Sequence, residues 1–370
     1  MSKIAIIGAS YLQRPLVEKA KEMGLRTICF AWPEGAVCKD ICDTFYPVSI
    51  TEKDEILRLC REEQIDGICT IASDVAAPTV AYVAEQMGLT GNSYEASLRA
   101  HDKYAMRVAL SEAGVECPKF TCVNGISGLE VSGLEVSGLG DGNGKWQIGN
   151  DKWQMGNGKW DLPLIVKPTD RSGSLAVTKV EKNEELLPAV KKALEVSMAH
   201  EAMIEEYIEG REISVEMISC RGTHYALQIT DKETTGAPHF VELAHRQPSD
   251  LPAAMQEHIF AITRRALDAL GLTEGASHSE YKITDEGRIV VMEIGGRMGG
   301  DFIGSDLVRL STGYDFVQGV IEVALGNIIH PEPKALAHSR VVFDAPENVS
   351  CSAERTGYRI YQDDKLVFSV

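Results

Sequence analysis

The alternation of apolar and polar residues divides the first hundred residues into short strands and helices. Continuous apolar runs predict buried parallel strands at 3–8 (KIAIIG), 26–32 (RTICFAW) and 65–73 (IDGICTIAS). Helical spacing of apolar residues predicts one helix ending at Gly24, one over 55–64 and one ending at Gly88. This order predicts an open, doubly wound α/β domain over residues 1–97.

The later part of the chain mixes strands and helices in a different order. Strands are predicted at 162–169, 202–208 and 212–219, with helices at 183–197 and 253–270. Two further strands, HSEYKIT and RIVVMEI, are joined by Asp285-Glu286-Gly287, which is typical of a hairpin turn. The second half is therefore predicted to be α+β.

Residues 125–160 differ from both halves. They repeat a five-residue unit (SGLEVSGLEVSGL) and then a Gly/Asn-Lys-Trp unit. Repeats so rich in Gly, Asn and Ser bury little apolar surface, which favours an inserted loop. The alternative is a small module in which Trp146, Trp153 and Trp160 form a stack or contact surface.

Composition and charge narrow the range of partners. The 370 residues are 44% hydrophobic and 25% charged, as in an ordinary globular protein with two or three domains. The formal charge of −17 argues against nucleic acid or an anionic membrane as a partner, because both repel an acidic surface. An anionic substrate would therefore need a local cluster of Lys and Arg.

The cysteines and the N-terminus bear on the compartment. Nine cysteines without a CxxC pair favour reduced, mostly buried thiols over metal or disulfide chemistry. The apolar start is too short for a signal peptide, and no run reaches membrane-spanning length, so we expect a cytoplasmic protein. The first turn, GASYLQR, has one glycine where a dinucleotide fingerprint needs three, which disfavours a nicotinamide enzyme.

Two glutamates on the predicted hairpin suggest a metal site. If Glu286 and Gly287 form a two-residue turn, Asp285 pairs with Arg288, and Glu280 lies opposite Glu293. Facing carboxylates destabilise a ladder unless a hard cation lies between them, and Mg²⁺ takes such ligands. The alternative is two solvated glutamates, but the apolar residues around them indicate a covered strand.

Lys167 ends an apolar strand and precedes Pro168, so we expect its ammonium to lie in a cleft near an anion. The next residues, 169–174 (TDRSGS), form a small-residue loop suited to folding over phosphates. At the following strand junction, the pattern around Glu205 and Glu212 allows two interpretations. In one, these residues are charged strand ends; in the other, they contact an adenine edge and ribose hydroxyls.

Taken in order, these segments resemble the ATP-grasp superfamily over nearly the whole chain outside 125–160. The resemblance rests on Asp102-Lys103 followed by "LIVKPTDRSGS", "IEEYIEGRE", "SHSEYKIT" and "VMEIGGRMGG". It implies an open N-terminal domain followed by the two-subdomain ATP-grasp fold. The implied divisions are a first domain at 1–97, a linker helix and lid at 98–204, and a core at 205–370.

The resemblance also implies roles for individual residues. The implied ATP-binding residues are Lys103, Lys167, Ser172, Gly173, Ser174, Glu205, Glu206, Ile208 and Glu212. Glu280 and Glu293 match the ligands of Mg²⁺ or Mn²⁺. The chain departs from the family at Gly295, where an Asn commonly serves as a further ligand, so that the cation is held more weakly or activity is impaired.

Within the superfamily, "EIGGRMGGDF" is most similar to the bacterial L-amino acid ligases. That similarity implies a substrate site formed by Glu242, His245, Arg297, Gly300 and Asp301. Glu242 would hold an ammonium, His245 would lie near the activated carboxyl, and Arg297 would neutralise an acyl phosphate. An acid at position 301 would favour a cationic or amine-bearing partner.

The implied reaction joins a carboxylate to an amine through an acyl phosphate and releases ADP and phosphate. The substrates would be small molecules, and a homodimer is expected by family analogy alone. One alternative is a bicarbonate-activating enzyme, similar to carbamoyl phosphate synthase or a carboxylase. The other is an impaired, ATP-binding protein.

Overall fold

The computed structural model describes residues 1–125, 161–171, 173, 175–236 and 239–369. Its first unit consists of β1 (Lys3–Ile7), α1 (Arg14–Glu22), β2 (Arg26–Phe30), β3 (Thr44–Tyr46), α2 (Lys53–Glu63), β4 (Gly67–Cys69) and α3 (Ala77–Met87). The four strands are parallel in the order β3-β2-β1-β4. Ile4, Ile6 and Ile7 are fully buried because helices cover both faces. The predicted doubly wound domain is confirmed.

Two helices lead from this unit into the rest of the chain. They are α4 (Tyr94–His101) and α5 (Lys103–Glu112). Each is capped by a side chain, because Ser93 and Asp102 accept hydrogen bonds from the backbone N–H groups of Ala96 and Ala105. The α5 cap fixes Lys103 at the first turn, and Arg107 follows one turn later on the same side of the helix.

The second unit is a four-stranded antiparallel sheet with one helix. It contains β5 (Phe120–Val123), β6 (Leu164–Pro168), β7 (Thr178–Val180), α6 (Asn183–Val196) and β8 (Ala202–Glu206), with strand order β5-β8-β6-β7. The predicted boundary between residues 204 and 205 falls inside β8, whose pairing continues to Glu206. Apart from residue 125, the repeat segment lies outside the described residues.

The third unit combines an eight-stranded antiparallel sheet with helices. Its elements are β9 (Arg211–Cys220), β10 (Thr223–Thr234), β11 (Glu242–Gln247), α7 (Ala253–Leu270), β12 (Gly275–Ile283), β13 (Ile289–Gly295), α8 (Val308–Thr312), α9 (Phe316–Ala324), β14 (Ser339–Asp344), β15 (Gly357–Gln362) and β16 (Lys365–Ser369). The strand order is β13-β12-β9-β10-β11-β14-β15-β16. Strands β10, β11 and β14–β16 were not predicted.

The two faces of this sheet differ in chemistry. Along β9, Ile213, Val215 and Met217 face an apolar core that includes residues of α7. Glu212 and Glu216, at alternate positions, face the other way because side chains alternate across a strand. This polar face turns toward the four-stranded sheet.

The β12–β13 hairpin reaches the predicted register by a different route. Thr284 and Arg288 close a three-residue loop, so the predicted two-residue turn is wrong. A β-bulge between Glu280 and Tyr281 leaves Met292 as an extra residue and shifts the ladder by one. The two differences cancel, and Glu280 pairs with Glu293 as predicted.

A short parallel bridge joins the first unit to the glycine-rich segment after β13. Ile71 pairs with Met298, and the Ala72 N–H donates to the Met298 carbonyl at 3.0 Å. The bridge brings the carboxyl end of β4 against residues 297–300. Among the described residues, no helix is both long and apolar enough to cross a membrane.

Candidate functional site

The first cavity lies between the four-stranded sheet and the polar face of the eight-stranded sheet. Eight of the predicted ATP- and metal-binding residues line it: Lys103, Lys167, Gly173, Glu205, Ile208, Glu212, Glu280 and Glu293. Ser172 and Ser174 lie outside the described residues. Residues that are far apart in the sequence are therefore brought to one cavity by two adjacent sheets and α5.

At the centre of the first cavity is a buried ion triad. The carboxylate of Glu205, 1% exposed, accepts from Arg107 Nε at 2.7 Å and from Lys167 Nζ at 2.5 Å. Arg107 also donates to the Met292 carbonyl at 2.5 Å, which ties α5 to the bulge of β13. The expected anion beside Lys167 is thus Glu205 itself.

Burial governs the protonation of this triad. It lowers the pKa of Lys167, and the neighbouring Glu205 offsets this only in part. Burial also tends to raise the pKa of Glu205, but Arg107 and Lys167 more than offset it and hold that pKa below its usual value. The carboxylate therefore stays ionised and orients two cations along the cavity wall.

Glu206 and Glu212 differ in where their carboxylates lie. Glu206 is not among the residues that line the first cavity, and it accepts from the Lys119 N–H and pairs with Arg288 at 3.4 Å. Strand alternation explains this, since its neighbour Glu205 occupies the inner side. Glu212 lines the cavity and pairs with Lys282 at 3.1 Å.

The facing carboxylates of Glu280 and Glu293 each lie beside an ammonium group. Lys232 Nζ is 2.5 Å from Glu280, and Lys103 Nζ is 2.8 Å from Glu293. Burial opposes ionisation of Glu280, but Lys232 and His278 hold its pKa well below the usual range. No described cluster offers three or more His, Cys, Asp or Glu ligands. Two hard oxygen donors where the cavity wall carries several ammonium groups nevertheless fit Mg²⁺, which keeps water and phosphate as its other ligands.

His278 connects this pair to the glycine-rich segment. Its Nδ1 hydrogen-bonds the buried Glu216 carboxylate, and its Nε2 is 3.3 Å from Glu280. Burial opposes the charged imidazolium, but Glu216 raises the pKa of His278 to about 9. Glu216 also accepts from the Gly299 N–H at 3.1 Å. A continuous hydrogen-bonded path therefore runs from the loop to a candidate metal ligand.

The second cavity adjoins the first and receives residues from the first unit and the C-terminal strands. All five predicted substrate residues line it: Glu242, His245, Arg297, Gly300 and Asp301. The two cavities share part of their walls: Gly173, Lys232, Glu242, Glu280 and Glu293. The two cavities thus meet at the paired carboxylates of Glu280 and Glu293.

His245 is buried and neutral. Burial, assisted by the charge of Lys232, lowers the pKa of His245 to about 3. His245 is only 1% exposed, and yet its Nδ1 has no hydrogen-bond partner among the described residues. A buried polar atom without a partner is uncommon and is consistent with a bound molecule supplying one.

Arg297 is held by a residue that sequence reasoning missed. Asp74, just beyond β4, accepts from Arg297 Nε at 2.8 Å and from Nη2 at 2.6 Å. A Cβ atom at Gly295 would lie 2.6 Å from Asp74 Oδ1, so a side chain there is incompatible with this contact. Where the family commonly has an Asn side chain, the Asp74 carboxylate of the first unit therefore lies beside Gly295.

Asp301 is likewise paired. Arg355, between β14 and β15, donates to both of its carboxylate oxygens at 2.8 and 2.9 Å. Burial tends to raise the pKa of Asp301, but Arg355 lowers it overall. The carboxylate is thus not a free receptor for a cation, contrary to what the sequence suggested.

Some of the site residues that the sequence analysis missed could have been found from patterns in the sequence, and others could not. Alternation in EISVEMIS and HSEYKIT places Glu216 and His278 on the same faces as Glu212 and Glu280. Arg107 follows Lys103 by four residues, and two cations on one helix face call for nearby acids. Asp74 and Arg355 had no local signal, because their partners lie far away in sequence.

Comparison with known proteins agrees with this geometry. Residues 160–306 match the family model described as the ATP-grasp domain. The chain carries an ATP-grasp domain. The crystal structure of an L-amino acid ligase from Bacillus licheniformis superposes with a TM-score of 0.76 over 94% of this chain and 81% of that chain, at 23% identity. The ATP-grasp fold predicted from the motifs is therefore confirmed.

Sequence relatives of the ATP-grasp chain include known ligases. Alanine–anticapsin ligase from Bacillus subtilis is 26% identical over 67% of this chain and 51% of its own length. D-alanine–D-alanine ligase from Phocaeicola vulgatus is 30% identical over 36% of this chain and 42% of its own. The chain thus spans about half the length of the alanine–anticapsin ligase it matches.

Proposed function

We propose that this ATP-grasp protein is an ATP-dependent ligase that joins the carboxylate of an amino acid to an amine and releases ADP and phosphate. One observation carries the proposal. Lys232, Glu280 and Glu293 belong to the walls of both cavities. A phosphate group at the end of the first cavity would therefore face a molecule in the second.

In this proposal, cations along the first cavity offset the charge of the triphosphate. Lys103 and Lys167 contact phosphates, and Glu205 positions Lys167 rather than contacting the base through a free carboxylate. The backbone around Ile208 contacts adenine, and Glu212 accepts from the ribose. Locally gathered cations explain how a chain of net charge −17 binds a polyanion.

Glu280 and Glu293 would hold Mg²⁺ or Mn²⁺, which when bound would offset the charge of the transferring phosphate. Lys103 and Lys232 already lie at these carboxylates. The two ammonium groups thus hold both side chains in the wall that the cavities share.

The reaction would take two steps. A carboxylate oxygen of the substrate attacks the γ-phosphorus, the bond to the β-phosphate oxygen breaks, and ADP leaves. The nitrogen of the amine then attacks the acyl carbon, phosphate leaves, and the nitrogen loses a proton. The protein contributes mainly by positioning the reactants and neutralising charge.

The second cavity suits an amino acid as the activated molecule. Glu242 would receive the α-ammonium, and Arg297 would lie near the developing acyl phosphate. His245 carries no charge at neutral pH, so it does not repel the substrate ammonium. With a pKa of about 3 it is a weak base, which fits an orienting hydrogen bond better than proton removal.

The deciding experiment measures ADP release with pairs of amino acids and identifies products by mass spectrometry. We expect ADP and an amide product in equal amounts, dependent on Mg²⁺. Glu293→Gln should lower turnover at least 100-fold and raise the Mg²⁺ requirement, whereas Glu286→Gln at the hairpin tip should do neither.

The same screen separates the alternatives. ADP release with bicarbonate and no amino acid would favour the carboxylase-like reaction instead. ATP binding without ADP release under any combination would identify a binding protein. Unchanged turnover in Glu293→Gln would contradict the assigned metal site.

A further inference from the structure

Asp301 and Arg355 line the second cavity but not the first. The guanidinium covers both oxygens of the carboxylate, and the side chains are 23% and 10% exposed. Arg355 Nε also donates to the Ser352 carbonyl at 3.2 Å. The pair is therefore held from both sides and presents no unpaired charge to the cavity.

The surroundings of the pair are aromatic. The Arg355 guanidinium lies 3.9 Å from the centre of the Phe343 ring, and that ring also contacts His245 edge-on at 5.7 Å. Phe302, next to Asp301, stacks on Tyr358 at 4.0 Å. Tyr11 and Leu12 from the first unit also line the second cavity.

We propose that Arg355 is a specificity-determining residue that masks Asp301 and restricts the second cavity to amino acids with uncharged side chains. This inference rests on the proposed ligase function and names its substrate class. Because Arg355 and Asp301 already neutralise each other, a charged side chain would lose its hydration there without gaining an unpaired countercharge. An uncharged side chain would meet a neutralised pair and the cavity-lining residues Tyr11, Leu12 and Ile303.

The charge balance of the cavity supports this assignment. Arg297 is paired with Asp74, and Lys232 lies between Glu280 and Glu242, at 2.5 and 3.7 Å. Glu242 is thus the less closely paired acid, which suits it to receive the α-ammonium that every amino acid has. Discrimination among side chains then falls to the Asp301–Arg355 pair.

The test compares leucine, lysine and glutamate on the full chain. Each is measured by calorimetric binding in the presence of a non-hydrolysable ATP analogue, and by ADP release with a partner that works in the screen above. The wild type should prefer leucine at least tenfold over both others. Arg355→Met should raise the lysine-to-leucine ratio at least tenfold, and Asp301→Asn should do the same for glutamate to leucine.

Three further variants make the result interpretable. Arg355→Lys keeps the charge and should keep the wild-type order. The double variant Asp301→Asn/Arg355→Met buries no unpaired charge and should again favour leucine. Arg359→Met removes a matched Arg–Asp pair between solvent-exposed side chains, Arg359 of β15 and Asp344 of β14, and should change no ratio.

Several outcomes would overturn the inference. These are a wild type that binds lysine or glutamate as well as leucine, folded single variants with unchanged ratios, or a double variant that accepts lysine. A uniform loss across all three amino acids would indicate a purely structural pair. Binding of leucine without ADP release would reject the ligase reaction but leave the substrate class standing.

Discussion

At the scale of single residues, Gly299 shows why the segment after β13 is rich in glycine. A Cβ atom there would lie 2.8 Å from His278 Nδ1 and 3.0 Å from a Glu216 oxygen. Both groups are buried and hydrogen-bonded to each other, so neither can yield easily. The absence of a side chain thus lets the loop backbone bond directly to Glu216.

We predict that Gly299→Ala destabilises the protein by about 1–3 kcal/mol, the usual cost of overpacking, and lowers turnover. Urea unfolding and ADP release measure the two effects. Gly296→Ala is the matched control, because its Cβ would meet only the flexible end of Leu272, at 3.0 Å. Equal losses in both variants would contradict this explanation.

His245 should make stability depend on pH. Its pKa of about 3 in the folded state lies below the ordinary value of 6.5, so the unfolded chain binds more protons between these values. The stabilisation is complete above pH 6.5 and is lost as pH falls toward 3. Relative to His245→Gln, the wild type should lose up to about 1.4 kcal/mol more per pH unit in this window.

Urea titrations between pH 4.5 and 7.5 give this difference, because other titrating groups are common to both proteins. Parallel stability curves for wild type and variant would show that His245 is not neutralised by burial.

At the scale of elements, strand alternation decides which of two adjacent glutamates belongs to the site. Glu205 faces inward on β8, where it pairs with Arg107 and Lys167, and Glu206 faces outward. The same alternation on β9 and β12 places two further pairs on the side of the site. Glu212 pairs with Lys282 across the strands, and Glu216 pairs with His278. Alternation along the strands therefore predicts more of the site residues than single motifs do.

Glu205→Gln should cost about 3–5 kcal/mol, because it leaves two buried cations without their anion. Glu206→Gln, one residue along the strand, should cost less than about 1 kcal/mol, since its partner Arg288 is solvent-accessible. Chemical unfolding compares the two variants directly. Similar costs would mean that the triad is not the buried cluster described.

At the scale of the whole molecule, the topology limits how far the 125–160 segment can be shortened. Strands β5 and β6 flank β8 and are both antiparallel to it, so they run parallel to each other. A parallel crossover needs about a dozen residues, and removal of 126–160 leaves five: Asn124, Gly125, Asp161, Leu162 and Pro163.

We predict that replacing 126–160 with a Gly/Ser linker of about eight residues keeps the melting temperature and ADP release near wild type. Direct fusion of residue 125 to 161 should lose both, because the link cannot cross β8. Loss of activity in the version with the linker alone would show that the segment itself takes part in function.

The sequence by itself determined the main elements and most of the candidate site. Apolar periodicity gave the doubly wound unit and helix α7 with its observed bounds, and the ordered motifs gave the ATP-grasp fold. The facing pair Glu280 and Glu293 was also predicted, although through a wrong turn that the bulge at Met292 compensated. These features are local, because each depends on residues close together in the chain.

Only the tertiary structure decided which partners neutralise the charged groups. Asp74 meets Arg297 across 223 residues, and Arg107 meets Glu205 across 98. Arg355 reaches Asp301 because β14 and β15 extend the central sheet. Such pairings follow from the packing of separate units, and no periodicity within either segment encodes them. The substrate preference proposed for the second cavity thus depends on contacts that exist only in the folded chain.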